Sequence, residues 1–232
     1  MAILTPPRKR GVEILDLPDT DPVVVTRSLA DVARANALFG GVNSAIRELQ
    51  DVLKDLPRCA TLLDVGTGLG DIPCRAQALA RQHGVELTTV GMDAALELAR
   101  ASKRSVSLAV CGDALHLPFA DRSVDVVMCS QLLHHFFDAE PAQVLREMDR
   151  VARIRVVVSD LRLSWIAAAG LWLLSFPLGF HAVSRHDGVV SVLRGFTREE
   201  LADTVIGAIA QKPVVHRRRG FRVTASWTPA QR

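Results

Sequence analysis

Two adjacent histidines and a downstream aspartate have the side chains best suited to acid–base chemistry. His134 and His135 follow the apolar run Val124 to Cys129, and Asp160 follows the next one, Val156 to Ser159. Both runs predict buried parallel strands, and neighbouring strands lie about 4.8 Å apart, so a His–Asp pair across their carboxyl ends is geometrically feasible. Because histidine titrates near neutral pH, the predicted catalytic residues are His134, His135 and Asp160, with a histidine removing a proton.

Structural roles for the two histidines stay open at this point. One ring would pack within the loop, and the other would cap the helix that Pro141 begins. His186, in the polar segment 184–188, is a further candidate for the base. The sequence therefore predicts general-base chemistry and leaves three histidines to supply it.

The stretch Thr61 to Pro73, TLLDVGTGLGDIP, predicts a site for a bound ligand. Its apolar start is typical of a strand buried on both faces, and a helical pattern follows Asp71. Between them a GxGxG turn lets the backbone approach a ligand at the carboxyl end of the strand. The dinucleotide fingerprint GxGxxG would require glycine at position 71, and the aspartate there would repel a pyrophosphate. The loop therefore favours a ligand that carries a cation.

The segment Asp64-Val65-Gly66-Thr67-Gly68-Leu69-Gly70 resembles motif I of the class I S-adenosylmethionine-dependent methyltransferases. Within them the chain resembles the small-molecule group (type 11) that is similar to the quinone-biosynthesis methyltransferases. The resemblance implies S-adenosyl-L-methionine as cofactor. The predicted fold class is α/β: a Rossmann-like, seven-stranded, mostly parallel sheet with an antiparallel last strand and helices on both faces.

Two later acids follow the pattern of the same family. Asp93 ends the second predicted strand, where the resemblance implies hydrogen bonds to both ribose hydroxyls. Asp113 follows the third strand, where it implies a contact with the adenine amino group, and Phe119 or Leu117 would wall the ring. A helix N-cap for Asp93 and a turn for Asp113 are the structural alternatives. The predicted cofactor-binding residues are Asp64, Gly66, Thr67, Gly68, Gly70, Asp93, Asp113, Ala114 and Ser130, and no metal is predicted.

Composition limits the broad class of the protein. A chain of 232 residues suits one α/β domain, and a net charge of +3 is too small to argue for nucleic acid as a partner. The four cysteines stand singly without a CxxC pair, so neither a zinc site nor a disulfide framework is suggested. The N-terminus lacks the apolar run typical of a signal peptide. We therefore expect a reduced, cytoplasmic setting.

The predicted organisation is a flexible N-terminal segment, 1–22, and a single methyltransferase domain, 23–232. A helical cap at about 25–56 would either close the ligand site, as the resemblance implies, or cover a sheet edge. An apolar lid insert at about 164–195 follows the fifth strand. Its first part, SWIAAAGLWLLSFPLGF, is marginal for a membrane span. We expect it to cover a lipophilic substrate, with peripheral membrane contact through 165–180 as the alternative.

The C-terminal part predicts a polar loop at 184–188, then a helix that Thr197 and Glu200 begin with a capping box. Two final strands follow, within 213–219 and 221–227. Several arginines lie in this hairpin and predict a solvated sheet edge that discourages aggregation: Arg217, Arg218, Arg219 and Arg222.

The residues and the resemblance together predict a methyltransferase that acts on a small lipophilic molecule by O-methylation of a phenol or hydroxyl. Oxygen is favoured because carbon and sulfur nucleophiles need less help from a base. Two alternatives stay open: C-methylation in quinone-like biosynthesis, and a non-catalytic accessory protein that binds the cofactor. A NAD-dependent oxidoreductase is disfavoured, because the chain has no GxGxxG at the loop and no tyrosine for a Tyr–Lys pair.

Overall fold

A mixed β-sheet forms the centre of the protein, whose computed structural model describes residues 5–17 and 21–230. Its strands are β1 Cys59–Val65, β2 Glu86–Asp93, β3 Leu108–Cys111, β4 Val124–Ser130, β5 Ala152–Leu161, β6 Val214–Arg218 and β7 Arg222–Trp227. They lie in the order β3-β2-β1-β4-β5-β7-β6. The first five are parallel, and β7 is antiparallel to both β5 and β6. The predicted seven-stranded sheet with an antiparallel last strand is confirmed.

The topology brings the carboxyl ends of β1, β4 and β5 together. The strand order reverses at β1, which lies between β2 and β4, and doubly wound sheets bind ligands at such a point. Every residue of β4 is buried, in keeping with its mainly apolar sequence, and its buried Asp125 is paired with Arg153 at 2.6 Å. At the ligand end of the sheet, Ser130 of β4 lies opposite Ser159 of β5.

Helices cover both faces of the sheet, as predicted. In the described part of the chain they are α1 Pro22–Leu38, α2 Gly41–Val52, α3 Asp71–Gln82, α4 Leu96–Ser102, α5 Glu140–Val151, α6 Trp165–Ser175, α7 Ala182–Arg194 and α8 Arg198–Ile209. α2 and α3 bury their apolar stripes on one face, and α5 and α8 bury theirs on the other. The predicted capping box of Thr197 and Glu200 begins α8. α1 and α2 precede β1, where the helical cap was expected.

The polar loop predicted at 184–188 is wrong, because this segment lies within α7. The polar side chains of this segment are accommodated in a partly buried helix because residues distant in the sequence form hydrogen bonds with them. Ser184 donates to Asp31 of α1 at 2.8 Å, and Asp187 accepts the backbone N–H groups of Ile14 and Leu15 at 2.9 Å each. These partners lie more than 150 residues away in the sequence, so local composition gave no indication of the helix.

The N-terminal segment is not loose where the structure describes it. Residues 5–17 lie against α7: Lys9 donates its N–H to Leu193, and Arg8 donates its Nε–H to the carbonyl of Arg194 at 2.7 Å. The Arg8 guanidinium also stacks 4.1 Å from the centroid of the Phe196 ring. The prediction of a flexible segment at 1–22 therefore does not describe residues 5–17. Of its other positions, Asp21 caps α1 and Pro22 begins it, and 1–4 and 18–20 lie outside the described residues.

Helix α6 presents most of its large apolar side chains to solvent. Small residues, among them Ala167 and Ala168, face inward, and the large apolar side chains that are 42–60% exposed are Trp165, Ile166, Trp172, Leu173, Leu174 and, just after the helix, Phe176. The expectation that these side chains line a substrate cavity does not match this arrangement. No helix among the described residues is long and apolar enough to cross a membrane.

Candidate functional site

The glycine loop turns sharply from β1 into α3. Gly66, Gly68 and Gly70 have φ angles of 73°, 55° and 81°, a left-handed region that glycine enters without steric cost. No atom of the described residues lies within 4 Å of the position that a Cβ would take at Gly68. The N–H groups of Gly66 and Thr67 donate to the carbonyl of Met92 at 2.8 and 2.9 Å, which ties the loop to β2. The loop therefore offers open backbone at the tips of β1 and β2.

Asp64 is a buried carboxylate beneath this loop. Its Oδ2 accepts a hydrogen bond from the Thr67 hydroxyl at 2.9 Å, and its Oδ1 has no partner within the described part of the chain. Burial raises the pKa of Asp64 to about 7; the Thr67 hydrogen bond opposes that rise, and the charge of Asp93 adds to it. Because a buried acceptor without a partner costs free energy, the position is suited to a donor or a cation from a ligand.

Asp93 ends β2 beside the loop. Its Oδ2 accepts the N–H of Gly68 at 3.0 Å, and its Oδ1 accepts the N–H of Ala95 at 3.0 Å. The second bond is a local contact at the start of α4, close to the structural role that the sequence left open. Each carboxylate oxygen has a second lone pair, so the same group retains capacity for the ribose hydroxyls.

Asp113 lies in the turn after β3 and is exposed. Its Oδ1 accepts the backbone N–H two residues later at 2.9 Å, and its Oδ2 lies 3.5 Å from Nδ1 of His116. These contacts are those of a turn residue, so the adenine contact stays a prediction. Ala114 and Leu117 are buried in the core beside this turn, and Phe119 packs partly buried against the same core.

An unusual backbone conformation marks the carboxyl end of β4. Ser130 is the last residue of the strand, and its buried Oγ has no partner within 5–17 and 21–230. Gln131 follows with a φ of 53°, which is uncommon for a residue with a side chain. Its N–H donates to the carbonyl of Ser159 at 2.8 Å. Backbone strain of this kind concentrates at functional sites.

The structure brings His134 and Asp160 together across the tips of β4 and β5, and both are buried. Nδ1 of His134 lies 2.7 Å from Oδ1 of Asp160, and Oδ2 accepts the N–H of His134 at 3.2 Å. Burial alone would raise the pKa of Asp160, but His134 and the N–H of Leu161 hold it below its ordinary value. The carboxylate is therefore ionised, and Nδ1 of His134 donates the proton of this bond.

Glu13, His135 and Arg194 surround this pair. The ring of His135 packs on that of His134, with centroids 4.3 Å apart. Atoms of Glu13, His134 and His135 that could ligate a metal lie within 4.8 Å of one another. Arg194 of α7 donates to Glu13 at 2.9 Å, and both are buried. Because this guanidinium already neutralises the carboxylate, we assign no metal here. Glu13 was missed because the sequence marked its segment as loose.

His186 has a partner of its own on α7. Its Nδ1 lies 2.8 Å from Oδ1 of Asp187, and its side chain is half exposed. Asp187 also holds the backbone of the N-terminal segment. This histidine therefore belongs to the contact between α7 and residues 5–17, and nothing in its described contacts supports a role as the base.

Arg222 contradicts the prediction of a solvated arginine edge. It is 4% exposed, whereas Arg217 of the same hairpin faces solvent. Arg218 is partly buried and donates to Glu48 of α2 at 3.0 Å. Alternation along β7 places Arg222 on the same face as Thr224, which is buried under α2 and also bonded to Glu48. The alternation of side chains along the strand could have predicted that Arg222 is buried. The prediction of a solvated edge followed instead from the rarity of buried arginine.

The glycine loop and the acids beside it fit the cofactor that the loop implies. Open backbone at Gly68, the carboxylate of Asp93 and the unpartnered oxygen of Asp64 lie together at the tips of β1 and β2. S-adenosylmethionine has the complementary groups, namely ribose hydroxyls, an ammonium and a sulfonium. The position agrees with the ligand site of doubly wound sheets.

Comparison with known proteins finds methyltransferases among the proteins that this chain resembles. Residues 63–158 match a family described as "Methyltransferase domain". Over 159 residues the chain is 33% identical to a demethylmenaquinone methyltransferase of Roseiflexus sp. (strain RS-1), and the match covers 65% of each chain. The matched part of the chain is therefore similar to methyltransferases. The matched region spans slightly less than two thirds of that relative's length.

Solved structures share the fold of this chain. A SAM-dependent methyltransferase from Aquifex aeolicus superimposes with a TM-score of 0.55 at 16% identity, covering 78% of this chain and 89% of the other. Magnesium protoporphyrin IX methyltransferase from Synechocystis PCC 6803, with bound SAM, gives a TM-score of 0.53 at 12% identity, covering 94% and 89%. At these identities the likeness shows a shared fold.

Proposed function

We propose that this chain is a class I S-adenosylmethionine-dependent methyltransferase that methylates a hydroxyl oxygen of a small lipophilic molecule, with His134 as the general base. The observation that carries the proposal is the buried 2.7 Å contact between His134 and Asp160 at the tips of β4 and β5. An oxygen nucleophile must lose its proton, and an imidazole oriented by a carboxylate is suited to accept it.

Asp160 fixes the ring of His134 in one tautomer. Because the ionised carboxylate accepts a hydrogen bond from Nδ1–H, the Nε2 atom of the neutral ring carries the lone pair that can accept a proton. The carboxylate would also stabilise the imidazolium that forms when this nitrogen takes a proton. Glu13 and His135, close beside the ring, would help to orient it, and we assign His135 as the alternative base.

The cofactor would be held by the loop and the acids beside it. S-adenosylmethionine supplies an electrophilic methyl group when bound. Asp93 would accept the ribose hydroxyls, Asp113 the adenine amine, and Asp64 a positively charged group. The remaining proposed contacts come from the predicted set Gly66, Thr67, Gly68, Gly70, Ala114 and Ser130. Apart from the base, the chain mainly has to align the acceptor.

Product analysis tests the reaction directly. Extract incubated with the protein and methyl-labelled cofactor would be separated, and the labelled product examined by mass spectrometry and NMR. A methoxy group on a lipophilic product is the expected result. A methylated amine would contradict the assignment to oxygen while leaving the enzyme class intact.

A second candidate is methylation at carbon. The observation in its favour is the name of the Roseiflexus relative, a demethylmenaquinone methyltransferase. A hydroxyl that gives up its proton to His134 would also make the neighbouring ring carbon more nucleophilic, so the same base would serve. The NMR spectrum of the labelled product distinguishes a C-methyl from an O-methyl group.

The exposed face of α6 is proposed to dock on an anionic lipid surface, from which a lipophilic acceptor would be taken. We call this face the α6 apolar face: Trp165, Ile166, Trp172, Leu173, Leu174 and Phe176. Exposed apolar patches of this kind mark interaction sites, and tryptophan is enriched where membranes meet water.

Cations at the rim of the α6 apolar face argue for a lipid surface of negative charge. Lys9 lies 5.6 Å from the centroid of the Trp165 ring, and Arg185 lies 3.7 Å from that of Phe176. Arg34 of α1 stacks on Phe180, just beyond the helix. Basic residues near an anionic bilayer contribute about 1 kcal/mol each, so these charges complement the apolar contact.

A further inference from the structure

A row of buried polar atoms without partners crosses one face of the sheet. Asp64 Oδ1, Ser130 Oγ, Ser159 Oγ and the Nε and Nη1 atoms of Arg222 have no hydrogen bond within the described chain. The registers of β1 with β4, β4 with β5 and β5 with β7 put these side chains on the face that α2 covers, at the carboxyl ends of the parallel strands. Buried polar atoms are normally paired, so the row offers hydrogen-bonding capacity that a bound polar molecule would satisfy.

Arg222 is the cationic end of this row. Its Nη2 donates to Asn36 of α1 at 3.3 Å, a long bond, while Nε and Nη1 have no partner among the described residues. Burial lowers the pKa of Arg222 to about 10, and the negative charge of Asp160 opposes that decrease. The guanidinium is therefore charged at neutral pH. A buried charge without close partners is costly to keep, which favours a ligand that supplies the missing acceptors.

Three polar side chains converge at the start of α2. A Cβ at Gly41 would lie 3.0 Å from both Gln131 Nε2 and Asn36 Oδ1, and 3.1 Å from Nη2 of Arg222. The absence of a side chain at Gly41 therefore leaves room for these polar ends. Gln131, whose side chain is one of these three, has the left-handed backbone conformation described above.

The two ends of the row suit two different molecules. β1, which carries Asp64, and β7, which carries Arg222, are three strand positions apart, a separation of roughly 14 Å between backbones. The ammonium and carboxylate of one amino acid are much closer than that. A cofactor whose cationic part contacts Asp64 therefore leaves Arg222 for the second molecule in the site.

We propose that Arg222, with Gln131 and Asn36, binds an anionic oxygen of the acceptor, either a carboxylate or an ionised phenol. This inference rests on the proposed function, because the acceptor is the molecule that receives the methyl group in that reaction. Guanidinium binds such oxygens through charge-assisted hydrogen bonds. A neutral analogue would leave the buried cation unpaired, so this site selects acidic lipophilic acceptors.

The test measures the preference for anions by calorimetry on the full chain loaded with S-adenosylhomocysteine. The probes are 1-hydroxy-2-naphthoate as carboxylate, 4-nitrophenolate as phenolate and 1-hydroxy-2-naphthamide as neutral analogue. The wild type is expected to bind at least one anion about tenfold tighter than the amide, as charged hydrogen bonds require. Arg222→Met should remove that preference, and Arg222→Lys should keep part of it. Arg217→Met, at an exposed position of the same hairpin, should change nothing.

The outcomes separate this site from the proposed reaction. No anion preference in the wild type, or an unchanged preference in Arg222→Met, overturns the inference. A selective loss of S-adenosylhomocysteine affinity in Arg222→Met also overturns it, since the arginine would then serve the cofactor. If Arg222→Met does not fold, Asn36→Leu decides, with a preference reduced several-fold expected and an unchanged one contradicting the site. An anion preference without methyl transfer to any probe or extract component would refute the proposed function and leave this site standing.

Discussion

One carboxylate holds both the ring and the backbone of His134. Oδ1 of Asp160 lies 2.7 Å from Nδ1 of His134, and Oδ2 accepts the N–H of the same residue at 3.2 Å. The two contacts fix the position of the turn after β4 and the orientation of the imidazole together. A change at Asp160 should therefore affect the tautomer of His134 before it affects the cofactor loop on β1 and β2.

The first prediction concerns this pair. His134→Gln and Asp160→Asn should each lower the turnover number by about 10²–10⁴, the usual range for a lost general base. The affinity for S-adenosylmethionine should stay nearly constant, because neither side chain contacts the glycine loop. The two measurements are turnover on the substrate that the product analysis identifies and cofactor affinity by calorimetry.

His186→Gln is the matched control for that prediction, because His186 also lies against an aspartate, at 2.8 Å, but on α7. It should keep full turnover. His135→Ala separates the two adjacent histidines: a loss there with His134→Gln fully active would move the base to His135. Full activity in both variants would show that neither histidine of this turn is the general base.

Local patterns predicted the sheet and the glycine loop, because the central strands β1, β4 and β5 each contain a largely apolar stretch. The approach of Asp160 to His134 followed from the adjacency of two parallel strands. Long-range contacts could not be predicted from local sequence. Glu13 contacts Arg194, 181 residues away, and nothing near Glu13 in the sequence indicates this contact. Arg222 and the outward face of α6 depend on which side of an element packs, and this is decided by tertiary structure rather than by composition.

The second prediction tests the cofactor loop with two glycines of like conformation. Gly68 and Gly84 both have positive φ, 55° and 73°, and open space where a Cβ would be. Gly68→Val and Gly84→Val should therefore cost similar stability through backbone strain. Only Gly68→Val should weaken cofactor binding severely, and Asp93→Ala should do the same. Equal cofactor affinity in the two valine variants, measured by calorimetry, would place the cofactor elsewhere.

The third prediction concerns the α6 apolar face. Replacing Trp172 and Leu173 by serine should reduce co-sedimentation with vesicles of mixed phosphatidylglycerol and phosphatidylcholine, because these side chains are 48% and 60% exposed. Leu38→Ser is the control, since Leu38 is 61% exposed on α1. Binding should weaken in high salt, as screened charges imply. Equal binding to pure phosphatidylcholine would argue against the role of Lys9 and Arg185.

The last prediction follows from the pKa of Asp64, which burial raises from 3.8 to about 7. A carboxyl with a raised pKa in the folded state favours folding when protonated. Its contribution is complete below the unfolded pKa near 4 and is lost as the pH rises through 7. A tenfold difference in proton affinity between the folded and unfolded states corresponds to about 1.4 kcal/mol. Asp64→Asn should therefore raise the free energy of unfolding of the cofactor-free protein at pH 8, by up to a few kcal/mol, and by less at pH 5.

Cofactor binding should respond to pH in the opposite sense, because the ionised carboxylate is the form that suits a cationic ligand. At pH 6 the free protein holds a proton on Asp64 and must release it on binding, so affinity should rise towards pH 8. Calorimetry in two buffers of different ionisation enthalpy measures the released proton. The same titration on Asp64→Asn cancels the proton equilibria of the ligand itself, and it should show weaker binding without this release. Identical proton release by the two proteins at pH 6 would show that Asp64 does not meet the charged part of the cofactor.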